Sequence, residues 1–320
     1  MSTLPRAITL APQAAVPPAV ARRAARRRAR RETATAWGFV GPAVVVILGL
    51  GIVPVLWSLL LSFRADDLVT PGRWVGLDNY RALAKDPAFH TAVSNTLLYT
   101  ALYVPLSLLG GLALALALNR RLRFVGLYRT LVFIPFVVSA TAQGVLFSFI
   151  LDPEFGVANS LLHQLGVSPQ GFLSDPDQAI YLLVLISLWS GVGFCVVVYL
   201  AALQDVPPEL VEAARIDGAG RALILRHIVL PTLTPVTVFL FLWQVITALQ
   251  VFDLIYVTTK GGPLGSTTVV VYFVWQQAFQ TFTAGYGAAA AYVLAAALMV
   301  VGAALRVVRR RRSRTEGVVG

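Results

Sequence analysis

The sequence is short of nearly everything a soluble enzyme is built from. Only 13% of its 320 residues are charged and 57% are apolar, whereas soluble domains carry charge on about a quarter of their residues. A soluble chain of this make-up would expose large apolar patches and aggregate. A single cysteine, Cys195, sits inside an apolar run, which excludes a disulfide framework and a thiolate metal site. Three histidines (His90, His163 and His227) and two methionines are scattered along the chain, so no metal-ligand cluster forms. No glycine-rich loop ends in Lys-Ser or Lys-Thr, so the chain has no cradle for nucleotide phosphates. No apolar run pairs a nucleophile with a histidine, which argues against a membrane-embedded hydrolase. Acidic residues are scarce too, 15 against 26 Lys and Arg, for a net charge of +11. Nucleic-acid binding would gather that excess on one amphipathic face. Here it gathers at the ends of apolar runs, the pattern of membrane topology, and no nucleic-acid partner is expected.

What the chain does have is six long apolar runs, at about 37–63, 91–118, 124–151, 179–203, 232–258 and 283–308. Each suffices for a bilayer core about 30 Å thick at about 1.5 Å per residue. The expected fold is all-α, a polytopic membrane protein with six transmembrane helices. Its domain plan is a basic tail at 1–35, a membrane domain at 36–308 and a second basic tail at 309–320. The first tail holds the block Arg22, Arg23, Arg26, Arg27, Arg28, Arg30 and Arg31, and such a run of like charge is expected to be disordered. A twin-arginine signal fits less well, because the following apolar run is too long for a signal sequence and lacks a convincing cleavage site. Orientation follows from the basic residues. Only Arg64, Arg73, Arg81, Lys85 and Lys260 fall on one side and the other 21 on the opposite side. By the positive-inside rule both termini and the segment 205–235 face the cytoplasm.

That segment is too long for a structureless linker. Asp205 is placed to cap a helix whose first turn holds Pro207 and Pro208, with Glu209 and Glu212 favouring its positive end. Gly218, after Asp217, supplies a left-handed stop. A second helix is expected from about Ala219, carrying Leu223 and His227, with Pro231 and Pro235 marking the return to the membrane. The reading is a helix–turn–helix at the membrane surface.

Glu212, Ala213, Ala214, Gly218, Leu230 and Pro231 together resemble the cytoplasmic coupling loop of bacterial ATP-binding-cassette importer permeases. Further stretches are similar to the carbohydrate-type branch of that family. They are the Trp74–Leu83 segment, the Asn95–Thr96 pair, the run from Phe133 through Leu162, Phe252–Thr267 and Phe282–Leu294. The resemblance covers about residues 36–308 and is nearest to the first of two partner subunits, as for sugars or glycerol phosphate. One departure is Phe147 or Phe149 where many relatives carry Trp. The resemblance implies a bacterial inner-membrane permease subunit of an ATP-driven importer for a sugar or polyol. It implies three kinds of protein partner: a homologous second permease, a cytoplasmic ATPase dimer and an extracytoplasmic binding protein. ATP and Mg would be used by the ATPase, with no cofactor on this chain and membrane lipid around it. Glu212, Ala213, Ala214, Asp217, Gly218 and Pro231 would then carry the contact with the ATPase.

Polar side chains inside spans are costly unless they line a cavity or satisfy a neighbour. In the fifth run Gln244, Thr247 and Gln250 fall within about a 120° arc at about 100° per residue, with Trp243 beside them. Amides, hydroxyls and an aromatic face suit a sugar. The competing reading is interhelical hydrogen bonding, at about 0.6 kcal/mol each. Asn95, Gln143 and Ser190 are further candidates, and Asp253 reads as a structural or gating anchor. Gly110, Gly111, Gly285 and Gly287 read as close helix packing. An ion-driven secondary transporter is the alternative of a different class. It would call for more spans or paired repeats and for mid-span carboxylates, which the six runs lack. A non-sugar solute carried by the same frame is the alternative within the class.

Overall fold

A computed structural model describes residues 32, 33, 35–67, 69, 70, 72–120 and 123–316, with side chains as far as Ala303. Most of the N-terminal tail, the arginine block included, therefore lies outside the described residues. The chain divides after Ser58 into two units. The first holds most of helix α1 (Thr35–Ser62), which is apolar on every face and passes through a π-helical turn at Ile47–Ile52.

The second unit opens with a short antiparallel hairpin, β1 (Arg64–Ala65) and β2 (Arg73–Trp74), pairing Arg64 with Trp74. Within its turn the Asp67 carboxylate accepts the N–H groups of Val69 and Thr70 and the Thr70 hydroxyl. These bonds to the charged form, Thr70 N–H foremost, hold its carboxyl below the ordinary carboxylate value. Helix α2 (Asp78–Leu83) leads to α3 (Pro87–Leu118). Asp86 caps α3 by accepting the Ala88 N–H at 2.8 Å, and Pro87 takes the first position, where no donor is lost.

The third apolar run is not the straight span its composition predicts. It forms α4 (Val125–Val137) and α5 (Ala140–Ile150), bent by 97°. Val138 and Ser139 are both extended, and two consecutive extended residues end one helix and start another. Ser139 Oγ caps α5 on the Ala142 N–H at 3.3 Å. After α6 (Val157–Gln164) comes α7 (Ala179–Gln204), a continuous apolar helix.

The segment after α7 is a helix–turn–helix with two differences from expectation. Asp205 closes α7, and α8 (Pro208–Ile216) takes Pro207 as its N-cap. The second helix begins at Arg221 behind Gly220, and it does not stop at the prolines. Helix α9 (221–249) runs from Arg221–Ile224 through a π-helical turn, Leu225–Val229, into Leu230–Leu249. Pro231 cannot donate and its ring crowds the preceding turn, and the wider π turn just ahead of it makes room. The chain breaks at Gln250–Phe252 and resumes as α10 (Asp253–Val257), α11 (Val270–Phe279) and α12 (Ala284–Glu316). The last helix continues beyond 308 as far as Glu316, into the stretch expected as a basic tail. Among the described residues five helices are long and apolar enough to cross a bilayer, and the bent α4–α5 pair makes up to six.

The core of the second unit is α3 packed on α7, with α9 and α4 on their flanks. Tyr99, Tyr103, Leu183, Ile186, Val245 and Ile255 bury one cluster; Ala115, Cys195, Tyr199, Leu233 and Leu240 bury a second. Lipid is as apolar as these side chains, so close fit rather than water exclusion holds the helices together. Gly111 is one point of very close fit, since a Cβ there would overlap Cys195 Cβ. At Gly110 the nearest atom would be Val192 Cγ2, at an ordinary 3.6 Å. Gly111→Val is therefore expected to destabilise by about 1–3 kcal/mol, the usual cost of overpacking, and Gly110→Ala by much less. Thermal midpoints of the detergent-purified protein check the pair; equal midpoints would contradict the packing account.

Candidate functional site

Two helix breaks, at Val138–Ser139 and at Gln250–Phe252, face each other across the second unit. Helix α10 packs on α5, and a Cβ at Gly144 would meet Val257 and Thr258 at 3.2–3.3 Å. Beside this contact lies a polar cavity of about 220 Å³. Its walls come from four directions: Tyr99 and Tyr103 on α3, Ala140 and Gln143 on α5, Ser187 and Ser190 on α7, and Thr247, Ala248 and Gln250 through Leu254 around the second break. A larger cavity of about 630 Å³ lies between α3, α4, α5 and α7, but its lining is almost wholly apolar. The smaller one carries the hydrogen-bonding chemistry and is the candidate site.

Its polar groups are partly committed. Tyr99 Oη donates to Ser187 Oγ at 2.6 Å, and Ser190 Oγ donates to the Ser187 carbonyl at 3.2 Å. Thr247 Oγ1 donates to the Trp243 carbonyl at 3.0 Å and keeps its lone pairs as acceptors. Gln250 and Asp253 are exposed, and neither side chain has a hydrogen-bond or ion-pair partner among the described residues. Broken helices leave backbone polar groups and side chains free to meet a ligand, and transport proteins place binding sites at such points.

The polar arc of the fifth run is divided by the fold. Gln244, at one edge, is 2% exposed, and its Nε2 donates to Tyr103 Oη at 3.3 Å; it supports a cavity wall without lining the cavity. Thr247 and Gln250, further round, do line it. Trp243, 46% exposed, stands against Phe194 and Phe239 instead. Gln143 borders the cavity, but its Nε2 donates to the carbonyls of Val138 (2.7 Å) and Pro135 (3.3 Å), strapping the first break. Asn95 lies elsewhere: its Nδ2 donates to the carbonyls of Gly265 and Thr268, both at 3.0 Å, tying α3 to the loop before α11. Tyr99, Tyr103 and Ser187 were not among the sequence candidates. Their signal is periodicity, since Tyr99 and Tyr103 stand four apart on α3 and Ser187 and Ser190 three apart on α7.

The second surface of interest is α8 and the turn that follows it. Gly218 has φ +82°. The Ala219 N–H donates to the Ala214 carbonyl at 2.8 Å and the Gly218 N–H to the Arg215 carbonyl at 3.1 Å, a Schellman closure that satisfies the helix end. No residue of α8 is buried, and Ile216 is 87% exposed. Glu212 and Ala213 are exposed, Ala214 half-buried, and Asp217 is the C-cap. Pro231, also exposed, follows the π turn of α9.

Residues 107–314 match the family described as "Binding-protein-dependent transport system inner membrane component". The chain is 36% identical over 259 residues to a probable ABC transporter permease protein of Pyrococcus horikoshii, covering 80% of this chain and 89% of that one. It is 35% identical over 272 residues to the arabinooligosaccharides transport system permease protein AraP of Bacillus subtilis, covering 82% and 84%. A bacterial ABC transporter involved in the import of the acidic polysaccharide alginate has a chain of the same fold. That chain aligns with TM-score 0.80 at 24% identity, over 89% of this chain and 98% of its own length.

The division between strapping and lining residues is measurable. Gln143→Leu leaves the Val138 carbonyl without its donor, a loss of about 1–3 kcal/mol for a buried polar group. The thermal midpoint of the purified protein should fall accordingly. Thr247→Val removes only a bond to the helix's own backbone and should leave the midpoint nearly unchanged. A reversed order would show the break to be held by other groups.

Proposed function

Because this chain belongs to the family of binding-protein-dependent transport system inner membrane components, we propose that it forms one half of a sugar- or polyol-conducting permease. It is a multi-pass membrane protein, and in this reading the cavity at the two helix breaks is its part of the solute path. The observation that carries the reading is the chemistry of that cavity: hydroxyls of Ser187 and Thr247, the Gln250 amide and the Asp253 carboxylate beside the stacked rings of Tyr99 and Tyr103. Hydroxyl-rich solutes are recognised by such acceptors and donors together with an aromatic face. The name of the Bacillus subtilis relative, an arabinooligosaccharide permease, points to the same substrate class.

The remaining parts of the machine follow from this reading. The chain carries no phosphate-binding loop, so ATP and Mg are handled by a separate ATPase dimer, and this chain binds no cofactor. A second, homologous permease completes the path, and a binding protein outside the membrane delivers the solute. The arginine asymmetry supports a cytoplasmic position for both termini and α8 in this reading. There α8 docks on the ATPase through Glu212, Ala213, Ala214 and the apolar Ile216, with Asp217 and Gly218 shaping the helix end and Pro231 the root of α9. The membrane domain extends over 36–308, with the basic tails on either side of it. Opening and closing of the ATPase halves then biases the spans between two states, and the solute crosses by alternating access.

Two experiments test the halves of this proposal in the transporter purified with its native partners. For the solute path, Thr247→Ala, Gln250→Ala and Asp253→Asn should lower uptake or change solute preference while leaving assembly and basal ATP hydrolysis intact. Unchanged uptake in all three variants would remove the cavity from the path. For coupling, Glu212→Lys should weaken retention of the ATPase. Gly218→Val puts a β-branched residue at φ +82°, a cost of roughly 1–2 kcal/mol. It should uncouple hydrolysis from the loaded binding protein with the spans intact. Normal ATPase stoichiometry and stimulation in both variants would show that α8 is not the coupling element.

A further inference from the structure

The larger cavity plays no part in that proposal. It is an open groove of about 630 Å³ between α3, α4, α5 and α7, within the roughly 300–1,000 Å³ usual for ligand sites. Its lining includes Leu131, Leu185, Leu188 and Val192, with no charged residue. Along α7 it runs from Gly193 to Leu182, about 16 Å at about 1.5 Å per residue. That is roughly half of a 30 Å hydrocarbon core, the depth of one leaflet.

A cation stands at the Gly193 end. Arg129 lies one turn before Val132 on α4, and its Nη2 donates to the Leu118 carbonyl at a long 3.5 Å. Leu118 is in turn one helical turn beyond Leu114 of the groove. The Arg129 Nε is buried and without a hydrogen-bond partner. No carboxylate pairs with this guanidinium among the described residues. None is available nearby in sequence, since the chain has no Asp or Glu between Asp86 and Asp152. Arg120 and Arg123 add positive charge close by in sequence. A half-buried guanidinium with no carboxylate beside it and one unpartnered N–H calls for an anion, and the apolar groove leading away from it calls for hydrocarbon. Both demands are met by one molecule class.

We infer that this groove is a binding site for an anionic phospholipid, its phosphate on Arg129 and one acyl chain along α7 between α4 and α5. The lipid completes the open side of the bent α4–α5 pair and so bears on the element that walls the polar cavity.

The test uses the full-length protein with its native partner subunits, reconstituted into nanodiscs. Photoactivatable phosphatidylglycerol and phosphatidylcholine, each with a diazirine on one acyl chain, are compared by mass spectrometry of the labelled peptides. Phosphatidylglycerol should label the α7 peptide holding Leu185, Leu188 and Val192 in preference to phosphatidylcholine. Arg129→Gln should reduce that preference about fivefold, the worth of one cation at an anionic surface, and Arg129→Lys should largely keep it. Leu185→Trp, which fills the groove and leaves the charge in place, should lower labelling by phosphatidylglycerol; it serves also if Arg129→Gln fails to assemble. Equal labelling by the two lipids, or a preference untouched by both Arg129→Gln and Leu185→Trp, would overturn the proposal. So would a photo-crosslinker at Leu185 that captures a polypeptide instead of lipid, because the groove would then be a protein interface.

Discussion

Inside hydrocarbon every backbone N–H and C=O must find a partner within the protein, and an orphan costs several kcal/mol. A membrane chain that interrupts its helices must therefore repair each interruption, and the repairs decide where everything else sits. Here the break at Val138–Ser139 is closed by the Gln143 amide on two carbonyls and by the Ser139 cap. The break at Gln250–Phe252 is followed at once by a helix whose end is tied by Thr258 Oγ1 on the Leu254 carbonyl. The two repaired ends pack together, and the polar cavity is the space left where helical hydrogen bonding stops. The candidate site is thus a consequence of the breaks, not an addition to a finished bundle.

The loop before α11 is likewise held by side chains that satisfy its backbone. Thr267 Oγ1 donates to the Gly262 carbonyl at 2.6 Å and pairs with Thr259 Oγ1 at 2.7 Å. Thr268 Oγ1 donates to the Gly261 carbonyl at 3.0 Å. Asn95 then fastens the loop to α3, and the Val270 N–H donates to Thr96 Oγ1 at 2.9 Å. Thr96 also bonds back to the Ala92 carbonyl, so one hydroxyl serves both helix and loop. Side chains that look like ligand-binding groups in a hydropathy plot are wiring here.

This marks the limit of what could be read in advance. Apolar runs give the spans because length and composition are summed over some twenty residues and tolerate local error. The α8 turn was legible because Gly218 follows Asp217 after an amphipathic stretch, and left-handed backbone has few residues to choose from. The 97° bend was not. Pro135 and the polar stretch from Ser139 to Gly144 mark the place, but prolines, hydroxyls and amides are all tolerated inside membrane helices, so neither dictates a break. The split of Gln244 from Thr247 and Gln250 was also out of reach. Their arc is wide enough to face two neighbours, and only the position of Tyr103 on α3 decides which residue is consumed by packing. Asp253 was read as a structural or gating anchor; its place in the cavity lining depends on a break that cannot be seen in composition. Pro231 and Pro235 misled in the opposite direction, since a π turn absorbs the first and the helix carries on.

That continuity bears on the mechanism. Under the proposed function the coupling helix and the solute cavity stand at opposite ends of one element. Helix α9 begins at Arg221, three residues after the Gly218 turn, and delivers Thr247 to the cavity wall before breaking at Gln250. At about 1.5 Å per residue it is about 43 Å long. A stiff rod of that length carries a tilt imposed at one end to the other, and the Schellman closure keeps α8 from fraying and absorbing the motion. Along the way α9 is held to the bundle by Tyr199 Oη donating to Thr237 Oγ1 at 3.3 Å and by Gln244 on Tyr103. Both bonds are long and each counts for little, about 0.6 kcal/mol for a typical polar contact between membrane helices. Such contacts can be exchanged during a rocking motion at small cost, whereas the backbone bonds within α9 cannot. The balance favours movement of α9 as a unit against α3 and α7. The soft point is then the break at Gln250–Phe252, where the cavity lies, and a tilt of the rod changes the cavity's shape before it changes anything beyond it.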